Sequence, residues 1–247
     1  MNTTMKRVNI LAVILGLTLG TMAQNQKGTF YIRPMAGISI ANLSSSLDNY
    51  YHNQVGLTVG LEVEYAISNQ AGISLGAIYS QQGTEIDGST AQRYTDANGQ
   101  LHADYSDYKG HLRANYINLP LMVNYYIPVV KGLAIKAGIQ VGLRSDERLK
   151  AEQKTINSIY PLSSADGSTM VSSNQLSSYE VWSRTINETD VCKSVDFGIP
   201  LGLSYEYKNV TLDARYCFGL TKTDKILEAQ NNRNRTFSVT LGYRFNL

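Results

Sequence analysis

From residue 29 to its end the chain alternates apolar and small or polar positions with a period of two, the pattern of strands that carry one apolar face. Eight segments show it: 30–42, 55–65, 73–79, 117–125, 133–143, 195–207, 210–220 and 236–245. The second is the cleanest. There Val55, Leu57, Val59, Leu61, Val63 and Tyr65 alternate with Gly56, Thr58, Gly60, Glu62 and Glu64. None of the eight apolar faces carries a charge, and every charge within the segments falls on the opposite face: Arg33, Glu62, Glu64, Lys136, Asp196, Glu206, Asp213, Arg215 and Arg244.

Phase alone fits two folds. A soluble sandwich would solvate the charged face and bury the apolar one, whereas a membrane barrel does the reverse. Segment length and connections decide. Membrane strands need about 9–11 residues, which most of these segments meet, and the links alternate short and long. Short ones fall at 68–70, 128–132 and 208–209; long ones run over 44–53, 83–113, 145–192 and 221–235. Outer-membrane barrels join their strands in this way, with short periplasmic turns and long extracellular loops. The fold expected is therefore all-β, an eight-stranded antiparallel up-and-down transmembrane β-barrel with long extracellular loops and both termini periplasmic. One register check is internal. Outward residues are odd-numbered in the sixth segment and even-numbered in the seventh, as a two-residue turn at Lys208-Asn209 pairing Tyr207 with Val210 requires.

At the N-terminus Lys6 and Arg7 precede the apolar run 8–20, and Thr21-Met22-Ala23 supplies small residues for cleavage. Residues 1–23 read as a secretory signal peptide and 24–247 as the barrel domain. Gln24, not Cys, follows the cut, so membrane attachment rests on the barrel itself. Removing Lys6 and Arg7 takes the basic count from 22 to 20 against 20 acidic residues, which leaves no electrostatic footprint for a nucleic-acid partner. Charged residues make up only 17% of the chain and tyrosines number 17 against 5 phenylalanines and 1 tryptophan. A surface that meets lipid rather than water accounts for both.

Eight strands enclose a lumen that side chains just fill. Five inward acids then face four inward bases, Arg33, Lys136, Arg215 and Arg244, with Arg144 at the rim as a fifth. Desolvated charges require partners, so a packed polar plug with no large pore is expected, a gated ion path being the alternative. Phe30, Tyr65, Tyr125, Tyr205, Tyr243 and Phe245 gather at the strand ends assigned to the periplasm, where an interfacial aromatic girdle would lie. Cys217 falls opposite Pro200, and Cys192 lies eight residues further along the sixth strand. That is about 26 Å at 3.3 Å per residue, too far for a disulfide.

Candidate chemistry is sparse. His52, His102 and His111 lie in or beside predicted loops, and His102 with Asp104 and Asp107 is the one grouping suggestive of a metal or hydrolytic site. No phosphate-binding Gly-rich loop, CxxC or GxSxG occurs, so neither a cofactor, a metal nor a catalytic residue is assigned. The Ser-rich third long loop holds one short alternating piece, 179–186, with Val181 and Trp182, suited to an extra hairpin above the membrane but too brief and charged to span it.

The segment YINLPLMVNYY (116–126), followed by Pro128 and a Gly-rich fifth strand, and the terminal FSVTLGYRFNL resemble the PorT-like outer-membrane barrel proteins common in Bacteroidetes. The broader likeness is to the OmpA and OmpX barrels. What the resemblance implies is a porin-like barrel architecture at the cell surface, inserted among outer-membrane lipids by the barrel-assembly machinery. The role expected is non-enzymatic, structural or surface-interacting, with loops that meet an extracellular or secretion-system protein. Two alternatives stay open: a component of type IX protein secretion, the role associated with PorT, and an outer-membrane lipid-modifying enzyme.

Overall fold

The computed structural model describes residues 25–44, 51–97, 101–160, 162–163, 170–171, 178–223 and 232–247. The signal-peptide assignment, residues 1–23, lies outside them. The strands are β1 (Phe30–Ser44), β2 (Tyr51–Ala66), β3 (Ala71–Thr95), β4 (Leu101–Tyr126), β5 (Leu133–Tyr160), β6 (Leu162–Ser163), β7 (Met170–Val171), β8 (Ser178–Glu188), β9 (Val195–Tyr207), β10 (Val210–Gly219), β11 (Arg233–Tyr243) and β12 (Phe245–Asn246). Eight of them close a ring in the order β1-β2-β3-β4-β5-β9-β10-β11, and β11 returns to β1 with Ala36 opposite Leu241 and Ile40 opposite Phe237. All neighbours are antiparallel, so the sheet is an up-and-down barrel without a free edge in its wall. Strand β12 extends β11 past Arg244 and pairs with the start of β1.

The alternation read from the sequence appears directly as burial. Along β2, Leu57, Val59, Leu61 and Val63 are exposed on the outer wall, while Thr58, Glu62 and Glu64 are buried inside. An apolar exterior around a polar interior is the inverse of a soluble protein and the arrangement a bilayer demands. The belt on β2 runs from Val55 to Tyr65, which for strands tilted by about 40° spans roughly 25 Å, the thickness of an outer-membrane apolar band.

The short connections lie at one end, hereafter the turn end, together with the start of β1 and the end of β12. Lys208 and Asn209 sit at φ 47° and 69°, the left-handed pair that a two-residue hairpin needs to match strand twist. Tyr207 pairs with Val210 as the phase change between the two strands requires.

At the opposite, loop end the strands run much further than the periodic segments suggested. The stretch expected as loop, 83–113, is largely a continuous β3–β4 hairpin arm paired from Gly83–Arg113 to Thr95–Leu101. Strand β5 continues from its pairing with β9 into a second pairing with β8, from Leu149–Glu188 to Ile159–Ser178. The result is a four-stranded sheet, β3-β4-β5-β8, that projects from the barrel by about 12 residues, or roughly 40 Å along the strand. The alternating piece at 179–186 is thus one strand of this sheet, paired to β5.

Two irregularities mark where wall gives way to projection. Ser145 is an extra residue in β5, because Tyr116 faces Arg144 while Asn115 faces Asp146. This bulge reverses the phase of β5, so that inward residues change from even (Lys136) to odd (Glu147, Ala151, Thr155). Between β2 and β3 the ladder lapses from Asn53–Thr84 to Thr58–Ser80. Gly83 stands beside the gap at φ +144°, where a Cβ would lie 1.9 Å from the Leu112 carbonyl oxygen, so only glycine lets the β3 backbone pass β4 there.

Candidate functional site

Inward phase delivers charged side chains from β1, β2, β5, β9, β10 and the residue after β11 to one level of the lumen. Arg33 donates to Glu62 at 3.1 Å and to Glu64 at 2.9 Å. Lys136 donates to Glu62 at 2.7 Å and to Asp213 at 2.9 Å. Arg215 bridges the same two carboxylates, 2.5 Å from each. Towards the turn end Arg244 donates to Glu206 at 3.0 Å and lies 3.7 Å from Glu64. Four bases and four acids form one chain of contacts with no net charge, and each of the eight is buried. In a medium of low dielectric, such mutual neutralisation is what allows the charges to remain ionised.

Three further residues complete the cluster and carry no charge. The Tyr126 hydroxyl donates to Glu64 at 2.6 Å, Tyr31 lies under the Arg244 guanidinium at 3.5 Å from its ring centre, and the Asn25 side-chain oxygen accepts from Arg244. Tyr31 and Tyr126 share the inward parity of Arg33 and Asn124, a signal present in the alternation. Asn25 precedes the first strand, where no periodicity could reveal it.

Asp196, on the inward face of β9, is not brought into this cluster. It sits nearer the loop end, accepting from the Thr221 hydroxyl and from the Asn234 amide at 2.9 Å. Arg144 at the rim contacts Glu147 and Asp190, the latter at 2.6 Å. Glu147 also accepts the backbone N–H of Val191 at 2.8 Å and of Cys192 at 2.9 Å, fixing the chain's return to the wall. Just inside this rim Leu43, Leu112, Ala114, Tyr116 and Cys192 pack as an apolar cluster. Between that cluster and the charges remains a cavity of about 40 Å³ bordered by Asn118, Gln140 and Cys217, room for a few water molecules and no solute. No disulfide links Cys192 and Cys217.

On the outer wall at the turn end, Phe30 and Tyr65 approach with ring centres 4.8 Å apart, and Tyr243 and Phe245 at 4.6 Å. Tyr125 is exposed alongside them and Tyr205 is half-buried. Tyr207 joins this ring and was legible by the same parity; its exposed face is met by the Lys208 ammonium at 5.4 Å.

The histidines are dispersed. His102 and Asp104 lie on one face of β4, near the tip of the projecting sheet, and alternation puts Asp107 on the other. His102 stacks on Tyr94 and lies 3.5 Å from Asp96, Asp104 accepts from Asn157, and His111 is opposite Lys150 far down the strand. Among the described residues no three His, Cys, Asp or Glu side chains are placed to hold a metal.

A closed eight-stranded ring with an apolar exterior and an ionic interior defines a membrane β-barrel protein. The model of the family described as outer membrane protein beta-barrel domain matches residues 22–225, and the chain belongs to that family, a protein of the bacterial outer membrane. Solved structures similar to it include Ail, the attachment invasion locus protein of Yersinia pestis, at 14% identity over 89% of this chain and 100% of that one, with a TM-score of 0.43. Others are Neisserial surface protein A, at 17% identity over 87% and 97% with a TM-score of 0.39, and OprG from Pseudomonas aeruginosa, at 14% over 91% and 99% with 0.41. No curated protein matches the chain.

Proposed function

We propose that the protein is a non-enzymatic, non-conducting outer-membrane barrel that works at the cell surface, using the projecting β3-β4-β5-β8 sheet as its contact surface for a macromolecule outside the cell. In this reading residues 1–23 are removed on export, both termini face the periplasm, and the loop end faces outward. The observation that carries it is the division of labour along the barrel axis. Eight paired charges and an apolar cap fill the lumen, while β3, β4 and β5 continue far beyond what spanning requires. Strand lengthening that serves no membrane function is the natural material of a recognition surface.

Two measurements test the reading together. In planar bilayers the purified barrel is expected to show no stable open state, and a large persistent conductance would contradict the sealed lumen. In whole cells an Ala91→Cys variant, placed on the exposed β3 arm, is expected to react with a membrane-impermeant maleimide. Protection of that thiol in intact cells with labelling only after lysis would overturn the orientation.

A further inference from the structure

We propose that the outer wall carries a binding site for the phosphate group of an outer-leaflet lipid with a phosphorylated sugar headgroup, built on Arg113 and Arg148. The two arginines are direct cross-strand partners on β4 and β5, and both are exposed on the outward face. Like charges set directly opposite one another destabilise a sheet. None of the ion pairs among the described residues involves either guanidinium. The next outward row adds Lys150 opposite His111, with Glu85 beyond on β3. One carboxylate, Asp146, borders the site from the row below. A phosphate between two guanidiniums removes their repulsion and can take two hydrogen bonds from each.

The arginines line a pocket of about 300 Å³ at the place where the β2–β3 ladder lapses. Gln54 borders the same pocket, and its side-chain oxygen is buried without a hydrogen-bond partner. A phosphorylated sugar brings in one molecule an anion for the arginines and a hydroxyl or amide N–H for this acceptor. Depth argues for a lipid over a free anion. Val55, 65% exposed and the last apolar residue of the β2 row, forms the pocket's lower lip. On β4 the apolar row ends at Ile117, four residues below Arg113, about 10 Å vertically for a tilted strand. The site thus straddles the line between acyl chain and headgroup, which is where a lipid phosphate sits.

This inference rests on the orientation proposed above, which puts the loop end in the leaflet bearing phosphorylated sugar lipids. The test is titration of the full mature chain in detergent micelles with diphosphoryl lipid A, read by native mass spectrometry. Saturable binding of one lipid is expected. Arg113→Gln/Arg148→Gln should weaken it at least tenfold while circular dichroism stays unchanged, and Arg113→Lys/Arg148→Lys should fall between. Lipid A stripped of both phosphates should bind as weakly to the native chain as diphosphoryl lipid A does to the double glutamine variant. Equal binding by that variant, equal binding of the dephosphorylated lipid, or displacement by inorganic phosphate at the same concentration would overturn the site. The Ala91→Cys labelling keeps the two ideas separable. Labelled cells with no phosphate-dependent binding sink the site alone, whereas phosphate-dependent binding with a protected thiol keeps the arginine–phosphate contact but sinks the orientation and, with it, the outer-leaflet lipid as its ligand.

Discussion

Glu62→Gln is expected to lower the unfolding free energy of the barrel by about 3–5 kcal/mol, the cost of stranding buried charge when one partner of an ion pair is removed. Glu62 is the hub of the lumen: Arg33, Lys136 and Arg215 all lie within 3.1 Å of its carboxylate. Glutamine keeps the shape and loses the charge, so the three cations retain Asp213 and Glu64 but gain a net positive charge that nothing nearby neutralises. The variant with Lys136→Met added should recover part of the loss, because it removes one of the stranded cations. Urea unfolding in lipid vesicles, followed by circular dichroism, measures both, and the double-mutant cycle isolates the coupling. A Glu62→Gln barrel as stable as the native one would mean that the charges are hydrated and the lumen open.

Leu201→Arg should cost about 2–4 kcal/mol, the penalty for a cation near the bilayer midplane on a lipid-facing strand. Leu201 lies midway along β9, 46% exposed on the outer wall and flanked by Ala137 and Tyr216. On a water-exposed strand the same exchange would be close to neutral. The comparison is direct when unfolding is measured in vesicles with thicker and thinner apolar cores, since the penalty should grow with thickness. Insensitivity to bilayer thickness would place Leu201 away from the hydrocarbon centre.

The barrel was readable because lipid outside and ionic packing inside impose opposite demands on adjacent residues, and an alternation such as Leu57-Thr58-Val59 records that conflict at every step. Register at Tyr207–Val210 followed from parity alone. The projecting sheet was less legible because polar residues stand on both of its faces, Ser106 and Thr155 on the buried one included, and its strands keep no strict apolar alternation. In the β4 arm, Asp104, Ser106 and Tyr108 share one face while Asp107 and Lys109 share the other, so polarity there reads as loop. The strand character of 101–112 comes from pairing with β3 and β5, a tertiary constraint that local pattern does not encode. For the lumen the sequence listed the charged residues but not their partition. Nine inward charges were visible, and only the packed geometry separates Asp196, held by Thr221 and Asn234, from the eight that neutralise one another. The Arg113–Arg148 site was hidden for a different reason. It depends on the bulge at Ser145, which resets the phase of β5 and turns Arg148 to the outer wall.

The most direct test is site-directed spin labelling of the barrel in liposomes, with labels at Leu121 and Leu201 on the outer wall and at Thr240 inside. The prediction is high accessibility to oxygen and low accessibility to a water-soluble nickel chelate at the two leucine positions, with Thr240 shielded from both reagents. Nickel accessibility at Leu121 and Leu201 would show that water, not acyl chain, bathes the uncharged face, and the barrel would have to be turned inside out.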